Sequence, residues 1–281
     1  MKYGTFVRIP EGADIAAACD EKFSEIKKMG FESCQLVYKP TVYKLEDADI
    51  IREYADKYGI EISAQFAGYR DPYTKFDNFF AFYNTGLNVS AFRESRTNYI
   101  LSVIPFMKRL GVTDMIVHSG HIPNNPFERE YSEMLCAVRV IAEELKKNDL
   151  NFLFETGGES PISLLRLIED IDLDKVFINL DTGNIIMYGF GNPVDALYTY
   201  GKYVRNMHAK DGLPPTDPNR IGKEVNIGEG YVDFEKVFST LHDLGYDRFV
   251  TIEREIHDGT QAEEIARSMK YIKRIVDKYY V

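Results

Sequence analysis

The chain has 281 residues, of which 44% are hydrophobic and 28% are charged, a composition typical of globular proteins. Its formal net charge of −10 at pH 7 argues against binding to nucleic acids or to anionic membranes, which attract basic proteins. No stretch approaches the ~18 apolar residues of a membrane-spanning helix, and a strand-like segment begins at Thr5. We therefore expect a cytoplasmic protein that makes no membrane contact and carries no signal peptide.

Short β-branched and aromatic segments alternate with amphipathic helical segments along the chain. The predicted strands lie near residues 4–9, 33–38, 60–66, 113–118, 151–155, 176–181, 204–208 and 248–253. The predicted helices lie near residues 19–29, 46–58, 91–110, 129–147, 161–170, 193–201, 234–243 and 260–279. This alternation favours an α/β fold, a closed (β/α)8 TIM barrel that forms a single domain over residues 1–281, with an open doubly wound sheet as the alternative.

The three cysteines are widely spaced and form no CxxC pair. Their odd number and their spacing argue against a disulfide framework. We expect Cys19, Cys34 and Cys136 to be buried free thiols in a reducing compartment.

Two predicted connections exceed the roughly 2–6 residues usual between strands and helices in α/β proteins. Residues 67–90 are rich in aromatic side chains, and residues 209–233 are rich in glycine and proline. Each follows the carboxyl end of a predicted strand, where the active sites of such barrels form. The aromatic segment is interpreted either as a cluster packed on the barrel rim or as a lid or subunit contact, and a subunit contact would make the protein a homo-oligomer, a dimer or a tetramer.

In the second half of the chain, four predicted strands end in a side chain that can bind a metal. These side chains are Glu155, Asp181, His208 and Glu253. An ionisable residue at the end of a buried strand is costly unless it has a partner. Three carboxylates and one imidazole suit a single divalent ion, for which Mn²⁺ is the preferred assignment and Mg²⁺, Co²⁺ and Zn²⁺ are alternatives. Any one of the four could instead cap a helix or pair with a basic residue.

Five short motifs occur in the same half of the chain. They are Phe154-Glu155-Thr156-Gly157, Asp181-Thr182-Gly183-Asn184, Met207-His208-Ala209-Lys210-Asp211, Ile227-Gly228-Glu229-Gly230-Tyr231-Val232-Asp233-Phe234 and Ile252-Glu253-Arg254-Glu255. In this order and spacing they resemble the motifs of the xylose-isomerase-like TIM barrels, a family of sugar and sugar-phosphate isomerases and epimerases grouped with the type 2 apurinic endonucleases. The resemblance implies that Glu155, Asp181, His208 and Glu253 are metal ligands.

A divalent ion beside two opposed carboxylates can catalyse proton transfer at carbon. The ion stabilises the enediolate that forms when the proton beside a ketose carbonyl leaves. One carboxylate removes that proton and a second returns one from the opposite face, which gives epimerisation; return to the adjacent carbon gives ketose–aldose isomerisation. The resemblance implies these acid–base roles for Glu155 and Glu253, with a small-molecule sugar or sugar phosphate as substrate.

Three further residues are candidates for substrate binding. His118 ends the fourth predicted strand and either bonds a substrate hydroxyl or is held by a backbone carbonyl. Lys210 shares a strand face with His208 and either meets a substrate oxygen or phosphate or pairs with a carboxylate. Asn184 stands where many sugar epimerases of the family have a histidine, and Pro214 stands where several ketose epimerases have an arginine. The resemblance therefore does not identify the substrate.

Residues near the same rim have simpler interpretations as well. In the long loop after the seventh predicted strand, Gly228 and Gly230 either let the backbone approach the site or only form a turn. Arg220 and Lys223 in that loop are either phosphate ligands or solvated charges. Arg254 is expected to point away from the metal, because adjacent residues of a strand alternate faces.

Three other function classes match parts of the pattern. A phosphodiester hydrolase like the apurinic endonucleases needs several zinc ions held by many histidines, whereas this chain has five histidines and no basic stripe for DNA. A non-catalytic sugar-binding barrel does not need two opposed glutamates. A dehydratase that acts on an inosose-type ketone would form the same enolate and expel water, and the sequence does not separate it from an isomerase or epimerase.

Overall fold

The computed structural model of the protein describes residues 1–39, 41–68, 81–256 and 259–280. The aromatic residues from Tyr69 to Phe80 lie outside the described residues, and so does His257. The interpretation of that aromatic segment as a rim cluster, a lid or a subunit contact therefore stays a prediction.

A closed barrel of parallel strands forms the centre of the protein. In chain order the strands of the described residues are β1 (Lys2–Val7), β2 (Ser33–Tyr38), β3 (Glu61–Ala67), β4 (Asp114–Val117), β5 (Asn151–Glu155), β6 (Val176–Asp181), β7 (Val204–Ala209), β8 (Asp211–Leu213), β9 (Lys223–Val225) and β10 (Phe249–Ile252). All except β8 and β9 belong to the barrel, in the order β1-β10-β7-β6-β5-β4-β3-β2. The predicted (β/α)8 barrel is confirmed and the open sheet is wrong, while the extent of the domain over residues 1–281 stays a prediction.

Helices connect the barrel strands and cover the outside of the barrel. They are α1 (Ile15–Lys28), α2 (Asp47–Tyr58), α3 (Ala81–Asn84), α4 (Ser90–Ser102), α5 (Ile104–Leu110), α6 (Arg129–Lys147), α7 (Pro161–Ile171), α8 (Thr182–Met187), α9 (Pro193–Tyr200), α10 (Phe234–Asp243) and α11 (Gln261–Val276), with a 3-10 turn at Gly201–Tyr203. Within the described part of the chain, no helix has both the length and the apolar composition needed to cross a membrane.

The helix predicted over residues 91–110 is two helices in the structure. α4 ends at Ser102 and α5 begins at Ile104, so Val103 flanks both. Pro105 explains the break, because it has no backbone N–H to donate to the carbonyl four residues earlier and its ring crowds that turn.

Besides the four-residue helix α3, two elements are absent from the sequence-based prediction. They are α8, which has six residues, and the antiparallel hairpin of β8 and β9, whose strands have three residues each. Segments this short contain too few positions for a hydrophobic period to be recognised. Both elements follow the carboxyl ends of barrel strands, and both contribute to the candidate site.

The barrel interior is filled with side chains. Ala64, Ile116 and Leu153 are fully buried there and contact Phe66 and Phe177. A larger cluster of buried aliphatic and aromatic side chains is packed separately from this interior group, between the barrel and its helices. Because the interior is filled, a ligand can reach the barrel at its carboxyl rim but cannot pass through it.

The cysteines differ in exposure. Cys19 and Cys34 are buried free thiols, as predicted, whereas Cys136 is an exposed free thiol. Cys136 lies on α6, whose buried face includes Met134 and Val138. Position 136 falls between these buried rows of the helix, so the prediction of a buried thiol is wrong there.

Candidate active site

Four consecutive strands of the barrel bring the predicted metal ligands to one point of the rim. β5, β6, β7 and β10 carry Glu155, Asp181, His208 and Glu253 at or just beyond their carboxyl ends. Asp181 is the register partner of His208, and Glu253 extends β10 by donating its N–H to the carbonyl of Ala209 at 3.1 Å. All four side chains are buried, and one ligand atom from each lies within 4.8 Å of the others. We call these four residues the ligand cluster.

The His208 imidazole lies at the centre of the ligand cluster, and its two ring nitrogens have different surroundings. Nδ1 is 3.0 Å from Glu253 Oε2, 3.1 Å from Glu155 Oε1 and 3.5 Å from Asp181 Oδ2. Nε2 is 2.8 Å from the side-chain oxygen of Gln35, a fully buried residue of β2. When Nε2–H donates to Gln35, the Nδ1 lone pair faces the carboxylates, which is the tautomer that a metal ligand requires.

Three carboxylate oxygens of the ligand cluster accept no hydrogen bond from the described residues. They are Glu155 Oε2, Asp181 Oδ2 and Glu253 Oε2, and all are buried. Such an oxygen is costly, because it has lost its hydrating water without gaining a hydrogen bond. Carboxylate oxygen and imidazole nitrogen are ligands that Mn²⁺, Mg²⁺, Co²⁺ and Zn²⁺ accept. The residues present therefore fit a divalent cation, and their chemistry does not select among these ions.

Asp181 has two separate contacts. Its Oδ1 accepts a hydrogen bond from the backbone N–H of Asn184 at 2.7 Å and so caps the N-terminus of α8, an interaction that stabilises helix starts. Its Oδ2 faces the ligand cluster, 3.5 Å from His208 Nδ1. Capping and metal binding, which the sequence presents as alternatives, are thus compatible for this residue. The cap also fixes the orientation of the carboxylate.

Burial and mutual charge shift the pKa values of the cluster strongly. Burial raises the pKa of Asp181 to about 8, and Glu253 adds to this effect while Lys210 opposes it. Burial would also raise the pKa of Glu253, but the positive charges of Lys210 and His208 hold it well below its ordinary value. Burial lowers the pKa of His208, but the charges of Glu253 and Glu155 outweigh burial, so that the pKa lies well above its usual value. The cluster therefore attracts positive charge, as a cation site must.

Lys210 places a fixed ammonium group beside the ligand cluster. Its side chain is almost fully buried, and Nζ lies 2.5 Å from Glu255 Oε2, 3.7 Å from Glu253 Oε2 and 4.0 Å from Asp181 Oδ2. The side chain packs over Gly183, where an added Cβ would lie 2.7 Å from Lys210 Cγ. The interpretation of Lys210 as an ion-pair partner is therefore correct, and the pair leaves the ammonium at the wall of the cleft.

A cleft of about 470 Å³ opens above the ligand cluster. Its lining includes Glu155, Glu253 and all the predicted substrate-binding residues, namely His118, Asn184 and Lys210. His118 Nε2 lies 3.4 Å from Glu155 Oε2. Asn184 Oδ1 is buried and has no hydrogen-bond partner among the described residues. These side chains share one cavity, and their roles toward a substrate stay predictions.

The long loop after β7 is held in place by one carboxylate. Asp211 accepts hydrogen bonds from the backbone N–H groups of Gly212, Gly228, Gly230 and Val232 at 2.9–3.1 Å. At Gly230 an added Cβ would lie 2.2 Å from Asp211 Oδ1, so a larger residue would displace the carboxylate. The structure therefore supports the turn-forming interpretation of Gly228 and Gly230.

Two arginines near the rim lie close to carboxylates outside the ligand cluster. Arg254 donates to Glu224 at 2.9 Å and to Glu264 at 2.7 Å, and so points away from the cluster as predicted. Arg220 lies 3.9 Å from Asp217 with 78% of its side chain exposed, as expected of a solvated loop charge.

Three polar residues of the site region were not found from the sequence. Gln35 contacts His208, Arg8 lines the cleft, and Glu159 is buried four residues after Glu155. Burial raises the pKa of Glu159 to about 8, and the charge of Glu155 adds to this effect. The face alternation of the first two strands was the available signal for Gln35 and Arg8. For Glu159 the sequence offers no such signal.

Residues 23–275 match the family model for xylose isomerase-like TIM barrels. The chain therefore belongs to this family, in agreement with the resemblance carried by its motifs.

Two curated relatives differ in how much of the chain they match. An uncharacterized protein of Methanocaldococcus jannaschii is 25% identical over 297 aligned positions, which cover 99% of this chain and 92% of that protein. An inosose dehydratase of Clostridium botulinum is 27% identical over 128 positions, which cover 41% of each chain. The match to that dehydratase is therefore partial.

Solved structures match the whole chain. A xylose isomerase domain protein from Planctomyces limnophilus has a TM-score of 0.87 and 28% identity, covering 99% of this chain and 98% of that one. A D-tagatose 3-epimerase-like protein has a TM-score of 0.71 and 23% identity, covering 100% of both chains. A Mycobacterium smegmatis protein in complex with magnesium has a TM-score of 0.73 and 15% identity, covering 100% and 98%. The last two comparisons show a shared fold alone.

Proposed function

We propose that this protein is a divalent-metal-dependent isomerase or epimerase of a sugar or sugar phosphate. The observation that carries the proposal is the group of three buried carboxylate oxygens around His208, at the base of the cleft, that have no hydrogen-bond partner among the described residues. Binding a sugar by hydrogen bonds would not require such a group, whereas a divalent ion held by it would assist proton transfer at carbon.

Glu155, Asp181, His208 and Glu253 are the proposed ligands of one metal ion. Mn²⁺ is the preferred ion, and Mg²⁺ is an alternative that the magnesium complex of the Mycobacterium smegmatis neighbour supports. When bound, the ion supplies Lewis acidity, which stabilises the negative charge that develops on the substrate oxygens as the proton leaves.

Glu155 and Glu253 are the proposed acid–base pair. They come from β5 and β10, between which β6 and β7 lie, and both line the cleft. One carboxylate removes the proton beside the carbonyl, and the other returns a proton from the opposite face, which inverts that carbon. Return of the proton to the adjacent carbon would instead convert a ketose into an aldose.

His118, Asn184 and Lys210 are proposed to orient the sugar. The Asn184 amide oxygen, which has no hydrogen-bond partner in the described part of the chain, can accept a hydrogen bond from a substrate hydroxyl. Lys210, held by Glu255, offers a fixed ammonium to a substrate oxygen. His118 lies close enough to Glu155 to bond the same hydroxyl region of the substrate.

Proton NMR in D₂O with Mg²⁺-loaded protein tests the proposal. The substrates are a panel of free and phosphorylated ketoses, together with inosose-type ketones. We expect solvent deuterium to enter beside the carbonyl of at least one ketose and the product to be its epimer or the corresponding aldose. Absence of exchange across the panel would contradict the proposal.

Two variants test the acid–base assignment in the same assay. Glu155→Gln and Glu253→Gln are each expected to slow exchange by about 10²–10⁴-fold, the range for loss of a general acid or base. Glu144→Gln on α6, which removes a surface carboxylate paired with Lys147, is the matched control and should exchange at the wild-type rate. Wild-type exchange in either cluster variant would refute the assignment.

A second candidate is a dehydratase acting on an inosose-type ketone. The partial match to inosose dehydratases favours it, and the first half of the reaction would be the same proton removal. The NMR product separates the two candidates, because a dehydratase yields a dehydrated ketone with a new vinylic or methylene signal instead of an epimer.

A further inference from the structure

The cleft has a second charged end, built from β1 and β2. Arg8 directly follows β1, Lys39 directly follows β2, and both line the cleft. These strands are neighbours in the barrel. Successive residues of a strand alternate faces, so Arg8 lies on the same face as Phe6, and Lys39 on the same face as Val37, both of which also line the cleft. The two cations are thus placed on the cleft side by the strands themselves.

Arg8 forms no ion pair or hydrogen bond within the described parts of the chain. Its guanidinium carbon lies 4.8 Å from the centre of the Phe6 ring, a cation–π distance. The Phe6 ring in turn lies 5.1 Å from the centre of the His208 ring. The distance from the guanidinium carbon of Arg8 to the centre of the His208 ring therefore cannot exceed the sum of these two distances. A substrate with a backbone of a few carbon atoms can span it.

The chemistry of this end suits an anion. A guanidinium presents its N–H groups as a planar fork that matches the two oxygens of a carboxylate or phosphate. Lys39, which follows the neighbouring strand, is a second cation of the cleft lining. Two cations complement a phosphate ester, which carries close to two negative charges near neutral pH. Glu11 also lines the cleft, but it is exposed, so water and salt screen its charge.

We propose that Arg8 and Lys39 form a subsite for a terminal oxyanion of the substrate, a phosphate ester or a carboxylate. The reacting carbons of the same molecule would lie at the ligand cluster. This inference rests on the proposed function, since it assumes that a sugar occupies the cleft, and it narrows the substrate class to acidic sugars.

Equilibrium binding to polyols without a carbonyl tests the subsite independently of turnover. Isothermal titration calorimetry with Mg²⁺-loaded protein would compare sorbitol, sorbitol 6-phosphate and gluconate. We expect at least one of the two anions to bind about tenfold or more tightly than sorbitol, the change that hydrogen bonds to charged groups supply. The tighter of the two identifies the oxyanion as phosphate or carboxylate.

Substitutions decide whether the tighter binding comes from Arg8. Arg8→Met is expected to remove most of the preference for the anion, and Arg8→Lys, which keeps the charge without the fork, to restore part of it. Arg220→Met, which removes an exposed arginine next to the cleft-lining Ile221, is the matched control and should leave the preference intact. A circular-dichroism melt of each variant verifies folding.

Three outcomes would overturn the subsite. The first is equal affinity for sorbitol and both anions. The second is an unchanged preference for the anion in Arg8→Met, which would mean that the anion binds the metal instead. The third is a loss of that preference in Arg220→Met as large as in Arg8→Met. Deuterium exchange with neutral ketoses but no anion preference would refute the subsite and leave the proposed reaction intact. An Arg8-dependent anion preference without exchange on any ketone would refute the reaction and leave the subsite intact.

Discussion

Buried carboxylates lie at both ends of the barrel, and the two ends neutralise them differently. At the amino end, Asp114 begins β4 and is almost fully buried. It accepts hydrogen bonds from Arg205 at 2.9–3.0 Å and from Asn151 at 2.6 Å, and Arg248 lies 3.6 Å away. At the carboxyl end, the ligand cluster keeps three buried oxygens without a hydrogen-bond partner among the described residues.

The difference separates two uses of a buried charge. Where the protein supplies all partners, as around Asp114, these partners offset the cost of burying the charge and leave no valence for a ligand. Where the hydrogen-bond partners of the carboxylates are incomplete, as in the ligand cluster, the folded state retains a cost that a bound cation would relieve. The positions of Asp114 and the ligand cluster agree with the general division of these barrels into a stabilising amino end and a catalytic carboxyl end.

The largest expected effect concerns Glu159, a buried carboxylate at the carboxyl end that forms no ion pair with any described residue. Its pKa is raised from 4.5 to about 8, first by burial and then by Glu155. Between these two pKa values the folded protein keeps a proton that the unfolded chain has released. The free energy of unfolding is therefore not reduced by this group below pH 4.5, and it falls as the pH rises to about 8. The loss is at most about 5 kcal/mol.

Urea unfolding of the metal-free protein between pH 4.5 and 9 measures this loss. Glu159→Gln cannot ionise and can still accept the hydrogen bond that Gly157 N–H donates at 3.2 Å. Its free energy of unfolding should therefore vary much less over that range. Parallel pH profiles for the variant and the wild type would show that burial of Glu159 has no such cost.

The next effect compares a substitution at each end. Asp114→Asn leaves Arg205 without its anionic partner and should lower the free energy of unfolding by about 3 kcal/mol, the lower end for broken buried pairs, because Arg205 is partly exposed. Glu155→Gln in the metal-free protein removes one of three crowded carboxylates. It should therefore change the free energy of unfolding by less than about 1 kcal/mol. Chemical denaturation measures both, and equal destabilisation at the two ends would contradict the comparison.

Metal binding should stabilise the folded protein only through the ligand cluster at the carboxyl end of the barrel. Mn²⁺ or Mg²⁺ at a concentration about 100 times its Kd should add about 2.7 kcal/mol to the free energy of unfolding. Thermal melts with and without the ion should show this gain in the wild type and in Asp114→Asn, but not in Glu155→Gln. A gain that survives Glu155→Gln would place the ion elsewhere.

A smaller effect is expected at Gln35, which holds the His208 ring through Nε2. Loss of such a hydrogen bond to a metal-bound histidine typically costs about 10–100-fold in metal affinity. Gln35→Leu should show this loss in a competition titration with a chromogenic chelator. Gln65→Leu is the matched control, since Gln65 is also fully buried but has no hydrogen-bond partner among the described residues. Equal losses in both variants would mean that Gln35 acts only through packing.

The sequence predicted the barrel and the convergence of the ligand cluster because both rest on local signals. Strand–helix alternation and an ionisable residue at a strand end are visible within a few positions of one another. The contact between Gln35 and His208 joins residues 173 positions apart, and an uncharged amide inside a strand gives no sign of such a partner. The break in the helix at Val103 could have been predicted from Pro105. In contrast, α8 is too short to show a hydrophobic period.

Asp211 binds backbone N–H groups at both ends of the loop that follows β7. The turn between β8 and β9, residues 214–222, is therefore anchored at both flanks. Within the turn, Gly222 N–H donates to the carbonyl of Met187 at 2.7 Å, and an added Cβ at Gly222 would lie 1.9 Å from the carbonyl oxygen of Leu213. From this turn, Ile221 reaches the cleft. Exchange of the turn residues other than Gly222 is therefore a way to reshape one wall of the cleft while the barrel and the ligand cluster stay as they are.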